Sequence, residues 1–113
     1  MPQRRQTLKT IEAAITGRFR LALVYKDVIR VAEPHILGFD SHGNLALSAW
    51  QVSGTGAGWR LFHLDRIQAL VARDDRFAGA AIGYNPQDPT FATVLRRLCP
   101  AGQATGTTTG ALR

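Results

Sequence analysis

The apolar residues of this chain change period at Gly17, and that switch constrains the fold more than any other feature. From Leu8 they fall at Leu8, Ile11, Ile15 and Phe19, with Ala14 on the same side. Spacings of three and four place them on one helical face, with Thr7 as N-cap and Gly17 as the stop. The period then becomes two. Leu21, Leu23 and Tyr25 alternate with Ala22 and Val24, which is the pattern of a strand with one buried face.

Turn residues cut the rest into strand-sized pieces. Lys26-Asp27 ends the first strand, and a second, Val28–Glu33, is expected to stop at Pro34, which lacks the N–H that a central ladder needs. His35–Asp40 reads as a third extended piece, followed by a turn at Ser41-His42-Gly43-Asn44. Leu45–Val52 is the next strand, and the SGTGAG stretch at 53–58 is a flexible loop. Trp59–His63 and Ile67–Arg73 follow, separated by a break at Leu64-Asp65-Arg66. Five or six strands at ~8–12-residue spacing predict a mainly β domain, a small antiparallel barrel or sandwich behind one helix. Asp74–Pro86 reads as an irregular excursion. Asp88-Pro89 is placed to start a short C-terminal helix with Phe91, Val94, Leu95 and Leu98 on its apolar face and Pro100 as its stop.

At 113 residues the chain suffices for one core and not for two. Residues 8–99 are expected to form that domain, between a flexible basic arm at 1–7 and a disordered tail at 100–113. Seven of the last thirteen residues are Gly or Thr, so the tail has little to bury. No apolar run approaches the ~20 residues that cross a bilayer. Residues 1–20 contain Arg4, Arg5 and Lys9 but no continuous apolar core of a secretory signal. Cys99 is the single cysteine, which excludes an intramolecular disulfide and suits a reducing compartment, so a cytoplasmic location is expected.

Charge bears on the partner without deciding it, because an arginine bias also follows from codon usage alone. The net charge is +6, and of 14 basic residues only Lys9 and Lys26 are lysine. Arginine presents a planar fork of donors that matches phosphate and stacks on rings, which favours phosphate-bearing partners. Catalytic signals are thin. Ser41 and His42 are neighbours on a turn and point apart, with no acid placed to orient the histidine. SGTGAG lacks the Gly-Lys-Ser/Thr ending of a phosphate-binding P-loop. His35, His42 and His63 lack cysteine partners and ligand spacing for zinc. No enzyme activity, metal or cofactor is expected.

Five blocks then carry a resemblance: Ile11-Glu12-Ala13-Ala14-Ile15, Val24-Tyr25, Arg30-Val31-Ala32-Glu33-Pro34, Gly43-Asn44-Leu45-Ala46-Leu47, and Arg60-Leu61-Phe62-His63-Leu64-Asp65-Arg66-Ile67. In this order they resemble the WYL domain, a module of bacterial transcription regulators that usually follows a winged helix-turn-helix. The resemblance covers roughly residues 8–77 and implies an Sm-like or SH3-like barrel. It also implies a non-enzymatic ligand-binding function directed at single-stranded nucleic acid, a nucleotide or a related anion. It places Arg30, Arg60 and Arg66 at a basic groove, with His63 able to face it. The chain departs from the family at the namesake motif, reading Leu45-Ala46-Leu47 for Trp-Tyr-Leu; Trp50 on the same strand offers a ring instead. No helix-turn-helix precedes residue 20, so duplex sequence is not read that way. The alternative is an Sm-like structural module whose edge strands assemble homo-oligomers or bind protein, without a nucleic-acid ligand.

Overall fold

The computed structural model describes residues 4–99: one helix, then six strands of a single antiparallel sheet with a 3-10 turn between the fourth and fifth. Helix α1 (Arg4–Gly17) buries Ile11, Ala14 and Ile15, the face that the apolar spacing predicts. It starts three residues before Thr7, which is a buried interior residue and not an N-cap, and Arg4–Gln6 are helical rather than a loose arm. Residues 1–3, and the tail expected at 100–113, lie outside the described residues. Gly17 is needed for space: a Cβ there would overlap the Phe19 ring, while the left-handed φ of 59° falls on Arg18. Phe19 opens the first strand instead of extending the helical face.

The strands are β1 (Phe19–Tyr25), β2 (Val28–Asp40), β3 (Leu45–Ser53), β4 (Gly58–His63), β5 (Ile67–Arg76) and β6 (Phe91–Arg97). They pair in the order β4-β3-β2-β1-β5, with β6 on β2. Lys26 and Asp27 carry φ of 52° and 62°, the left-handed pair that joins two twisted strands with a two-residue turn. Gln68 supports that costly conformation: the Asp27 N–H donates to Gln68 Oε1 and Gln68 Nε2 donates to Asp27 Oδ1, both at 2.8 Å.

Pro34 does not end a strand. β2 runs through it because the ladder is already interrupted there on both flanks. On one flank β1 pairs up to Ala32 and β6 begins only at Ile36. On the other, the register with β3 shifts between Pro34↔Ala49 and Ile36↔Ser48. His35 is the extra residue of that bulge, and the bulge reverses which parity faces inward: Ala32 is buried before it and Leu37 after it.

The segment expected as a C-terminal helix is strand β6. Asp88 caps a turn rather than a helix, its Oδ1 accepting the Thr90 N–H at 2.9 Å and its carbonyl the Phe91 N–H at 3.2 Å. Spacings of three and four fit a strand here because the β2–β6 register slips twice, skipping Leu95 and Ala92. Gly38 admits the strand; a Cβ there would run into the Thr93 carbonyl oxygen.

The expected barrel is not closed. β4 and β5 stand at opposite ends of the pairing order. α1 packs against the inner face, where Leu21, Leu23, Leu37, Leu47 and Phe62 meet Ile11 and Ile15 in the main core. A second, small cluster of Ile36, Ala46 and Phe91 lies on the outer face. None of the helices among the described residues is long and apolar enough to cross a membrane.

Candidate ligand cleft and arginine network

Two arginines on neighbouring parts of the sheet meet at the glycine-rich β3–β4 loop. Arg30, on β2, is 6% exposed. Its Nε and one terminal nitrogen donate to the Tyr25 carbonyl at 3.2 and 3.0 Å, and the other donates to Gln51 Oε1 and Thr55 Oγ1 at 3.2 and 3.3 Å. Gln51, fully buried on β3, passes the chain on: its Nε2 donates to Thr55 Oγ1 at 2.9 Å and to the Gly56 carbonyl at 2.7 Å. Arg60 completes the circuit from β4, donating to the same Gly56 carbonyl at 3.0 Å and to the Trp59 carbonyl at 2.9 Å.

Among the described residues no carboxylate enters this network. The ion pairs among the described residues are Arg20–Glu33, Arg20–Asp75 and Arg73–Asp75. A buried cation without a counter-charge is costly unless its donors are satisfied. Arg30 meets that condition with four hydrogen bonds to oxygen. Its guanidinium also lies 5.5 Å from the Tyr25 ring centroid and 5.8 Å from that of Phe62, contacts worth up to about 2 kcal/mol when desolvated. The positive potential of the pair is therefore left at the loop surface. Gly54 and Gly58 are the residues packed on the two arginines: a Cβ would lie 3.0 Å from Arg30 Cγ or Arg60 Nη1 respectively, at φ of 129° and 147° where side chains are strained.

On the outer face the bulge residue His35 anchors an aromatic group. Its Nδ1 lies 2.8 Å from the Glu33 carbonyl, which can only accept, and its Nε2 accepts the Ala81 N–H at 3.0 Å. Those partners fix the neutral tautomer with the proton on Nδ1. Burial holds its pKa below the ordinary histidine value, against the opposing pull of the Glu33 carbonyl. Phe77, Trp59 and Tyr84 surround the ring at centroid distances of 5.7, 4.8 and 4.9 Å. The Tyr84 hydroxyl donates to the Leu98 carbonyl at 2.7 Å, and burial pushes its pKa up to about 12.

Between this group and the 83–90 loop lies a cleft of about 300 Å³, at the lower end of the ~300–1,000 Å³ common for ligand sites. Trp59 and Tyr84, near-parallel at 25° with centroids 6.2 Å apart, line it together with Ile36 and Leu61. Arg60, Ser48, Asn85 and Asp88 supply its polar groups.

The structure thus brings Arg30 and Arg60 to one loop, with Arg30 inside as its anchor and Arg60 partly exposed at the cleft. Arg66 sits on the 3-10 turn Leu64–Arg66, exposed and without a hydrogen-bond partner among the described residues, outside that network. Trp50 is the cross-strand partner of Trp59, edge-on at 5.6 Å, and borders the aromatic group without lining the cleft. His63 is half-buried on β4; its backbone N–H donates to the Tyr25 hydroxyl at 3.1 Å. Gln51, Thr55, Tyr84 and Asn85 are not site candidates by sequence, and Asp88 enters there only as a helix cap. Glycines flanking Thr55 and the Tyr-Asn-Pro run were the available signals, but only the fold brings them to β4. Among known protein families, curated proteins and solved structures, none matches this chain.

Proposed function

We propose that the protein is a WYL-like, non-enzymatic binding module that holds single-stranded nucleic acid or a nucleotide-like anion at the β3–β4 hairpin. The observation that carries the reading is the convergence of Arg30 and Arg60 on the Gly54–Gly58 loop with no carboxylate among their partners. Arg30 sets the loop, and Arg60 offers its remaining donors to phosphate beside Trp59. A four-strand meander, β1 to β4, followed by β5 returning to pair with β1, is the connectivity that an Sm-like barrel needs, which fits the same family reading. Its output would be regulatory, in the cytoplasm of a bacterium.

Fluorescence anisotropy with short single strands tests this. Affinity falls with salt at a log–log slope of about −1.5 to −3, as expected for two to four phosphates neutralised. Arg60→Ala weakens binding by about 1–3 kcal/mol, and Arg60→Lys by less, because it keeps the charge and loses the fork. Arg73→Ala, on β5 at the opposite end of the strand order, changes little. Equal losses from Arg60→Ala and Arg73→Ala would reduce the interaction to general basicity and sink the reading.

A second reading, a homo-oligomeric or protein-interaction module, is favoured by one feature. Among the described residues the ten-residue strand β5 pairs only with β1, leaving its other edge open beside exposed Val71. Elution from a sizing column as a multimer, with no single-strand binding at low salt, would select it.

A further inference from the structure

The cleft beside Arg60 does not have the chemistry of a backbone channel. Its lining includes one cation, Arg60, and one carboxylate, Asp88, together with the Trp59 and Tyr84 rings. A run of phosphates gains nothing from Asp88. A planar ring with hydrogen-bond donors on its edge does, and it also suits a small space lined by two aromatic rings.

The donors and acceptors narrow the ring further. Asp88 Oδ1 accepts the Thr90 N–H, and among the described residues Oδ2 has no partner. Asn85 Oδ1 accepts the Gln87 N–H at 3.0 Å, which leaves its Nδ2 to donate. The Ser48 hydroxyl makes no side-chain hydrogen bond among the described residues, and Trp59 Nε1 is already committed to the Ile82 carbonyl at 2.9 Å. The cleft therefore presents an anionic acceptor and an amide donor on the same loop, beside a guanidinium. A carboxylate is best matched by two adjacent N–H donors. Of the four common bases only guanine has them on its Watson–Crick edge, at N1 and N2, with the O6 acceptor next to them for an amide. Adenine and cytosine offer one exocyclic amine beside a ring acceptor that would face the carboxylate, and uracil offers one N–H between two carbonyls.

We propose that this cleft is a guanine-selective nucleotide site. Asp88 accepts from the base edge, Asn85 donates to O6, the Trp59 and Tyr84 rings that line the cleft pack on the base, and Arg60 takes the phosphate. The assignment rests on the reading of Arg60 as a phosphate donor and adds the identity of the base.

Tryptophan fluorescence titrations with GMP, AMP, CMP and UMP on the full chain provide the test, supported by oligonucleotides carrying one guanine or none. GMP binds roughly tenfold or more tightly than the other three, in line with the discrimination of one bidentate base contact. Asp88→Asn keeps the acceptor that caps the turn at Thr90 and removes the charge; it leaves the thermal midpoint in place and erases the preference, bringing GMP to the level of AMP. Asn85→Ala lowers GMP affinity and spares UMP. Four nucleotides bound alike, or a guanine preference that survives Asp88→Asn, overturn the assignment. If single strands still bind in a salt-dependent, Arg60-dependent way, the anion-binding reading stands and only the guanine site falls. If neither nucleotides nor strands bind, both fall.

Discussion

The outer face of the sheet has two halves built from similar sequence and left in different states. Over β2, β3 and β4, Ile36, Ala46 and Phe91 close a small cluster against strand β6. Over β5, β1 and β2, the pairing lines up Val71, Ala22 and Val31 in one row and Ala69, Val24 and Ile29 in the next. Yet Ile29 is 73% exposed and Val71 61%. Both halves alternate apolar side chains. The difference lies in β2, whose His35 bulge turns Ile36 outward and whose Gly38 lets a further strand approach, whereas its first half already pairs with β1 and β3. Apolar alternation reports a strand; what covers each face depends on which later segment can reach it.

The largest effect expected contrasts the two clusters. Phe62→Ala empties the main core and loses about 3–5 kcal/mol, the range for a buried aromatic, and it also removes a ring from the Arg30 guanidinium. Phe91→Ala in the three-residue outer cluster costs less, about 2 kcal/mol, because the thin cover can collapse into the gap. Urea titration measures both, and equal losses would mean that the outer cluster is as integral as the inner core.

The covered half should also respond to pH through His35. Its folded pKa lies below the unfolded value of 6.5, so the fold favours the neutral ring. Stability is full above about 6.5 and falls as pH drops from there towards the folded pKa, by at most about 1.4 kcal/mol per pH unit for one proton. Protonation places a second N–H against the Ala81 N–H and so bears first on the 77–90 segment that walls the cleft. Thermal midpoints of the wild type and His35→Gln between pH 7.5 and 5 check this. The wild type declines and the variant, less stable throughout, declines less; parallel curves would remove His35 as the cause.

The smallest effect belongs to the bare half. Ile29→Thr and Val71→Thr keep β-branched strand formers and change monomer stability by no more than about 0.5 kcal/mol. A larger loss, or a change in elution volume, would show that a partner covers these rows in solution.

Much of this molecule is legible from spacing alone. Helix α1 follows from Leu8, Ile11 and Ile15, and β1 and β3 follow from alternation between polar turns, because each buries one face. The reading fails where two segments share a strand or a strand breaks its own period. Pro34 is excluded from central ladders only while both neighbours need its N–H, and here one neighbour has left and the other has slipped. Phe91, Val94 and Leu98 have helical spacing, and two bulges make that spacing strand-compatible.

The same division holds for the site. The arginine bias and the glycine-rich loop are properties of composition and short motifs, so the sequence by itself determined a basic, β-rich domain behind one helix. It did not determine that Arg30 turns inward while Arg66 stays outside, that Gln51 links the two arginines through the loop, or that Asp88 and Arg60 line one cleft. Those depend on contacts between strands, such as Arg30 with Gln51 and Thr55, set by strand register and by the bulges. A one-residue slip moves a side chain from one face of a sheet to the other. Only the tertiary structure fixes that choice.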